Sequence, residues 1–175
     1  ELLTEVSKIL SCETMRIYKS HDVLGVEIGG ALKNIIAFCC GIVAELGLGT
    51  NASSAIITRG LAEIARLGVE MGASKDTFYG LSGLGDLILT CSSDESRNRR
   101  AGRLIGKGLS IDEIKKEIGM TIESIDNIEI AHRLAEKYNV EMPIVNSVYD
   151  VIFNNKPMTD VSNSLMTRTI KFENE

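Results

Sequence analysis

The sequence predicts an all-α domain, and three observations carry that prediction. Two prolines and no tryptophan occur in 175 residues, while Leu, Ile and Ala are frequent, a composition that favours helices over a sandwich of short strands. From Asp22 onward apolar residues recur at helical spacing and not in alternation. Helix start and stop signals punctuate the same region at regular intervals. A chain of this length holds one domain, or a domain with a piece of another, and it can bury a sizeable core.

Taken in order, "ELLTEVSKIL" (1–10) places Leu2, Leu3, Val6, Ile9 and Leu10 on one helical face, so the chain is expected to open inside a longer protein. "TMRIYKS" (14–20) alternates Met15 and Ile17 against Arg16 and Tyr18 and predicts one short strand, whose sheet partners would lie upstream. Asp22 is the expected N-cap of a long helix over 23–47. "GLGTN" (47–51) predicts a turn, with Asn51 capping a second long helix that runs to Met71 and ends on Gly72. A short helix over Lys75–Tyr79 leads into the glycine-rich bend of 80–85, and a new helix starts near Asp86. Further helices are expected over 95–106, 111–118, 122–138, 143–153 and 159–170. Ser110 with Glu113 forms a capping box, Asn139 a C-cap, and Pro143 suits a first helical turn. The expected division is 1–21, the end of an α/β domain, and 22–175, an all-helical domain.

Composition excludes several classes. A net charge of −5 and a pI of about 5.2 argue against a general nucleic-acid or anionic-membrane binder. "IIAFCCGIVA" (35–44) is about half the roughly 20 residues a bilayer requires, and Lys33 and Glu45 bracket it, so a buried core helix is expected and not an integral membrane segment. Cys12, Cys39, Cys40 and Cys91 contain no CxxC pair, which points to a reducing, cytoplasmic setting without disulfides. His21 and His132 are too few and too separated for a zinc site, and no metal is expected.

The chemistry-bearing residues gather in two segments. "GLSGLGDLILTCSSDESRNRR" (80–100) invites a dinucleotide-loop reading at Gly83-x-Gly85. Ile88 occupies the position of the third glycine, however, and no strand precedes the motif. A bend whose N–H groups at Asp86 favour an anion accounts better for it. Ser96 or Asp94 can cap the next helix, and Arg97 then lies in its first turn, where a cation opposes the helix dipole. A bound anion would remove that conflict, because the guanidinium fork matches phosphate oxygens; a solvated basic face of Arg97, Arg99, Arg100 and Arg103 is the alternative. In "GVEIGGALKN" (25–34), Lys33 beside Asn34 lies within the most apolar helix. It is a candidate general acid/base or a lysine that snorkels to the helix edge. Arg59 is expected to pair with Glu63 at i and i+4, and Thr121 to cap the helix that Glu123 opens.

"DVLGVEIGGALKNIIAFCCGI", "NASSAIITRGLAEIARLG", "TFYGLSGLGDLILTCSSDESRNRRAG" and "VEMPI", in that order and spacing, resemble the bacterial type of NAD(P)-dependent glycerol-3-phosphate dehydrogenase over nearly the whole chain. The resemblance implies a multi-helical C-terminal domain of the 6-phosphogluconate-dehydrogenase-like type, preceded by a helix-strand remnant of a Rossmann domain. It implies reduction of dihydroxyacetone phosphate to sn-glycerol 3-phosphate with NADH or NADPH, in a cytoplasmic homodimer that feeds phospholipid synthesis. Carried over, Lys33 matches the catalytic acid/base and Asp86 the residue that organises it. Ser96, Arg97 and Asn98 match the substrate's phosphate site, and Asn34 and Thr90 are substrate neighbours. Arg97, Thr121 and Glu123 match cofactor contacts, although the family carries a small apolar residue where this chain has Thr121. The nucleotide loop would lie upstream, so these 175 residues alone are expected to be inactive. Two other readings stand beside this one: a related hydroxy-acid dehydrogenase, and a non-catalytic helical module for anion binding or dimerisation.

Overall fold

The computed structural model describes residues 2–160 together with 167 and 169, and helices dominate it. The helix expected over 159–170 lies largely outside the described residues. Helix α1 (Leu2–Leu10) buries none of its residues, and its apolar face is open. The strand expected over 14–20 does not form. A single antiparallel bridge joins Cys12 to Met15, and the segment beyond it is irregular. Alternation alone cannot hold an extended segment that has no neighbouring strand to take its hydrogen bonds.

Helix α2 (Val23–Glu45) is the axis of the domain. It packs against α3 (Gly49–Glu70), α4 (Asp86–Ser92), α5 (Arg97–Gly106), α7 (Glu123–Tyr138) and α8 (Pro143–Phe153), while α6 (Ile111–Ile118) lies on α5. Its stretch from Asn34 to Val43 is buried without interruption, with Ile35, Ile36, Ala37 and Phe38 excluded from solvent. By length and composition α2 could cross a membrane, but its apolar run is the core of this bundle.

The boundaries follow local chemistry. Asp22 caps α2 by accepting the Gly25 N–H. Left-handed Gly47 and Gly49 turn the chain so tightly that α3 begins at Gly49. Asn51 therefore sits in the first turn of α3, exposed, and does not cap it. The Ser110–Glu113 capping box forms, Asn139 ends α7 in the left-handed conformation, and Pro143 opens α8.

Two glycines decide how close α5 comes to α2. A Cβ on Gly41 would lie 2.0 Å from the Arg99 carbonyl oxygen, and one on Gly102 would lie 1.9 Å from that of Phe38. Each helix thus presses its glycine against the other's backbone. Gly102→Ala gains up to about 1 kcal/mol of helix propensity but sets a methyl group against a carbonyl that cannot rotate away. Overpacking costs about 1–3 kcal/mol or more, so the variant unfolds at lower urea than the parent. Gly30→Ala, where a Cβ meets nothing within 4 Å, is expected to leave the urea midpoint unchanged or raise it. Equal midpoints for Gly102→Ala and the parent would contradict this account of the crossing.

Candidate active site

Consecutive residues on a helix point about 100° apart, and Lys33 and Asn34 use that divergence to face two different neighbours. Lys33 turns toward α4, where its Nζ forms an ion pair with Asp86 Oδ2. The pair is partly open, with side-chain exposures of 20% for Lys33 and 34% for Asp86. Lys33 is therefore held by a carboxylate at the wall of the bundle, and does not run free to the helix edge. An ion pair so exposed adds little to stability; its consequence is to fix where the ammonium points. Thr90, one turn along α4, donates to the Asp86 carbonyl at 2.6 Å and lies 3.4 Å from Asp86 Oδ1.

Asp86 itself is set by the glycine bend. Leu81–Gly85 forms a single turn of π-helix that runs directly into α4. The Asp86 N–H is bonded to the carbonyls of that turn. The anion-seeking helix start expected at Asp86 is therefore absent, because the preceding turn satisfies it. Gly83 permits this, since a Cβ there would lie 2.2 Å from the Phe78 carbonyl oxygen.

Asn34 faces α5 and α7 from the core, where it is almost wholly buried. Its Nδ2 donates to Glu123 Oε2 at 2.8 Å, and its Oδ1 accepts from Asn98 Nδ2 at 2.9 Å. Asn98, also buried, accepts the Ser124 N–H at 2.9 Å. That bond caps α7, which has no side-chain cap of its own at Ile122. Thr121 was expected to provide the cap; it is exposed, stands outside the helix and joins none of these bonds. Asn127, which the sequence did not single out, donates to the Ala31 carbonyl at 3.0 Å and fastens α7 to α2 just before Lys33.

The start of α5 completes the set. Ser96 is its N-cap and accepts the Arg99 N–H at 3.3 Å. Arg97 is 39% exposed and lies 3.8 Å from Glu123 Oε1, a loose contact at the limit of an ion pair. Of the other α5 arginines, Arg100 is exposed, whereas Arg99 and Arg103 are paired. Arg99 pairs with Asp94, and Arg103 with Glu45 at 3.2 Å and Asp94 at 3.4 Å. Arg97 is thus the α5 arginine that borders the Asn34–Glu123 group. Lys33, Asp86 and Thr90 form one group and Asn34, Asn98, Arg97 and Glu123 another, and the two adjoin through the Lys33–Asn34 peptide.

Asp22 has a second task that capping did not reveal. Beyond Gly25, its carboxylate accepts the Ser74 N–H at 3.0 Å and the Thr77 hydroxyl at 2.6 Å, tying the start of α2 to the segment that enters the glycine bend. The Thr77 hydroxyl first, then the Gly25 and Ser74 N–H groups, hold this carboxyl below its ordinary value of 3.8, with burial opposing. A depressed folded-state value stabilises the fold above 3.8, and that contribution fades as pH falls through the lower value. Asp22→Ala therefore lowers the melting temperature at neutral pH, and the gap to the parent narrows on acidification below 3.8. A gap that stays constant with pH would contradict the assignment.

Comparison with known proteins follows the same residues. The family described as NAD-dependent glycerol-3-phosphate dehydrogenase C-terminus matches residues 22–163, which contain every residue of both groups. The chain belongs to this family. It is 51% identical over all 175 residues to a glycerol-3-phosphate dehydrogenase [NAD(P)+] of Bacillus cereus (strain AH187), and equally to one of Bacillus thuringiensis (strain Al Hakam). Each match covers 52% of the relative, so the chain spans about half the length of these curated relatives. The crystal structure of glycerol-3-phosphate dehydrogenase from Coxiella burnetii superimposes with a TM-score of 0.89 at 39% identity, over 94% of this chain and 51% of that one. The enzyme from Saccharomyces cerevisiae gives 0.83 at 32% identity, over 91% and 47%. The all-helical fold class predicted from sequence is the class these comparisons support.

Proposed function

We propose that this chain is the substrate-binding and acid/base half of an NAD(P)-dependent glycerol-3-phosphate dehydrogenase that reduces dihydroxyacetone phosphate to sn-glycerol 3-phosphate. The observation that carries the reading is the Lys33–Asp86 ion pair, set beside the Asn34–Asn98–Glu123–Arg97 group in a chain of this family. The division into an α/β end at 1–21 and a helical domain at 22–175, action as a homodimer in the cytoplasm, and supply of phospholipid synthesis belong to the same proposal.

The reaction adds a hydride to a ketone carbon and a proton to its oxygen. A bound nicotinamide cofactor, NADH or NADPH, supplies the hydride. Arg97 and Glu123 fit a polar, charged ligand of that kind, because their heads meet loosely near the surface and can be drawn apart at small cost. Lys33 carries the proton: Asp86 holds its ammonium in one direction, and transfer from Nζ neutralises the alkoxide as it forms. Ser96, Arg97 and Asn98 offer the hydroxyl, guanidinium and amide that a phosphate requires. Asn98 can contribute only from beneath, since its side chain already joins Asn34 to α7. Asn34 orients Glu123 from inside the wall, and the Thr90 hydroxyl lies 3.4 Å from an Asp86 carboxylate oxygen.

Phosphate recognition gives the test. Arg97→Leu in the intact protein removes charge-assisted bonds worth about 1.5–3 kcal/mol, so kcat/KM for dihydroxyacetone phosphate falls by roughly 10–100-fold. Unphosphorylated dihydroxyacetone, which has no phosphate for Arg97 to hold, is expected to change far less. An equal loss with both ketones would remove Arg97 from the phosphate site.

A further inference from the structure

Ser96 caps α5, so Asp94 does not perform the capping task that its position allowed. Asp94 stands in the turn 93–96 that joins α4 to α5. The turn closes on itself: the Ser96 N–H donates to the Ser93 carbonyl at 3.2 Å, and the Glu95 N–H to the Ser93 hydroxyl at 3.1 Å. From there the Asp94 carboxylate reaches forward along α5 and pairs with Arg99 and, at 3.4 Å, with Arg103. Arg99 is mostly buried, and its Nε has no hydrogen-bond partner among the described residues, so the pair with Asp94 is what holds its guanidinium. Arg103 is held from a second side by Glu45, at the end of α2.

Helical geometry separates these two arginines from Arg97. Arg99 and Arg103 are one turn apart and share a face of α5, whereas Arg97 precedes Arg99 by two residues and points about 200° away. Arg97 accordingly meets Glu123 of α7, and Arg103 meets Glu45 of α2.

We propose that Asp94 is a positioning residue for the phosphate site. Its pairs with Arg99 and Arg103 clamp the turn 93–96 onto α5, so that Ser96 and Arg97 meet the anion from a fixed frame. The same pairs occupy the two guanidiniums that would otherwise compete with Arg97 for it. The inference rests on the phosphate reading of Ser96, Arg97 and Asn98 given above. The clamp acts on binding and not on proton transfer, because Lys33 is held by Asp86 and not by this turn.

The test uses the intact protein with Asp94→Ala, Asp94→Asn and Asp94→Glu. The first two are expected to raise KM for dihydroxyacetone phosphate about twofold to fivefold, the range of a partly exposed ion pair, with kcat little changed. For unphosphorylated dihydroxyacetone kcat/KM stays at the parent's value, and Asp94→Glu, which keeps the carboxylate, restores most of the KM. Thermal melting with and without inorganic phosphate reads the same site without turnover. The rise in melting temperature that phosphate gives the parent and Asp94→Glu is expected to shrink in Asp94→Ala. An Asp94→Ala variant that melts lower but keeps the parent's KM and phosphate response, or that loses equally with both ketones, would overturn the proposal. A folded parent that does not reduce dihydroxyacetone phosphate, but whose phosphate response depends on Asp94, would overturn the proposed reaction and support the clamp.

Discussion

Replacing Lys33 by alanine in the intact protein lowers turnover of dihydroxyacetone phosphate by about 10²–10⁴-fold, the range that a positioned general acid contributes. The fold survives, because Lys33 is one-fifth exposed and its ion pair is a surface-edge contact that contributes little to stability. The loss falls on kcat more than on KM, since the proton is needed as the alkoxide forms and not in the ground state. Asp86→Asn keeps the shape of the partner and removes its charge. It is expected to show a smaller loss, because Asp86 acts by aiming the lysine. Unchanged melting with abolished turnover separates this account from one in which Lys33 is structural. Steady-state kinetics beside thermal melting makes the comparison.

Glu63→Ala destabilises the domain by about 3 kcal/mol or more in urea unfolding, the largest stability effect expected of a single side chain here. Glu63 is 1% exposed, and its carboxylate accepts the N–H groups of Ile144 at 2.8 Å and Val145 at 3.2 Å. It thereby serves as the cap that α8 lacks at Met142. Hydrogen bonds to a charged group contribute about 1.5–3 kcal/mol each, and a buried donor left without an acceptor costs its full desolvation. Glu63→Gln retains an acceptor oxygen and loses less. A Glu63→Ala variant within 0.5 kcal/mol of the parent, roughly the range of an ordinary surface change, would show that α8 caps itself.

What the sequence disclosed follows the distance over which each signal acts. The Ser110–Glu113 box, the Asn139 cap and the Pro143 start lie within a few residues of what they control, and all three form. The strand over 14–20 was legible as alternation but needs partners that alternation cannot supply. Asn51 was misplaced because the left-handed pair Gly47 and Gly49 restarts the helix earlier than a polar cap would. Thr121 was misplaced because Asn98, from a different helix, caps α7. The same limit hid the second role of Asp22, the role of Glu63 and the burial of Asn98, each of which joins residues 26 to 82 apart in sequence. For Lys33 the sequence left acid/base and snorkelling readings open. The structure pairs it with a carboxylate 53 residues away, which the packing of α4 on α2 brings to its nitrogen.

The central claim is that a dehydrogenase works through this domain. The most direct measurement is steady-state oxidation of NADH and of NADPH by the intact protein on addition of dihydroxyacetone phosphate. The account predicts robust turnover with at least one of the two cofactors and formation of sn-glycerol 3-phosphate. No turnover with either cofactor, in a preparation that is folded, would contradict it.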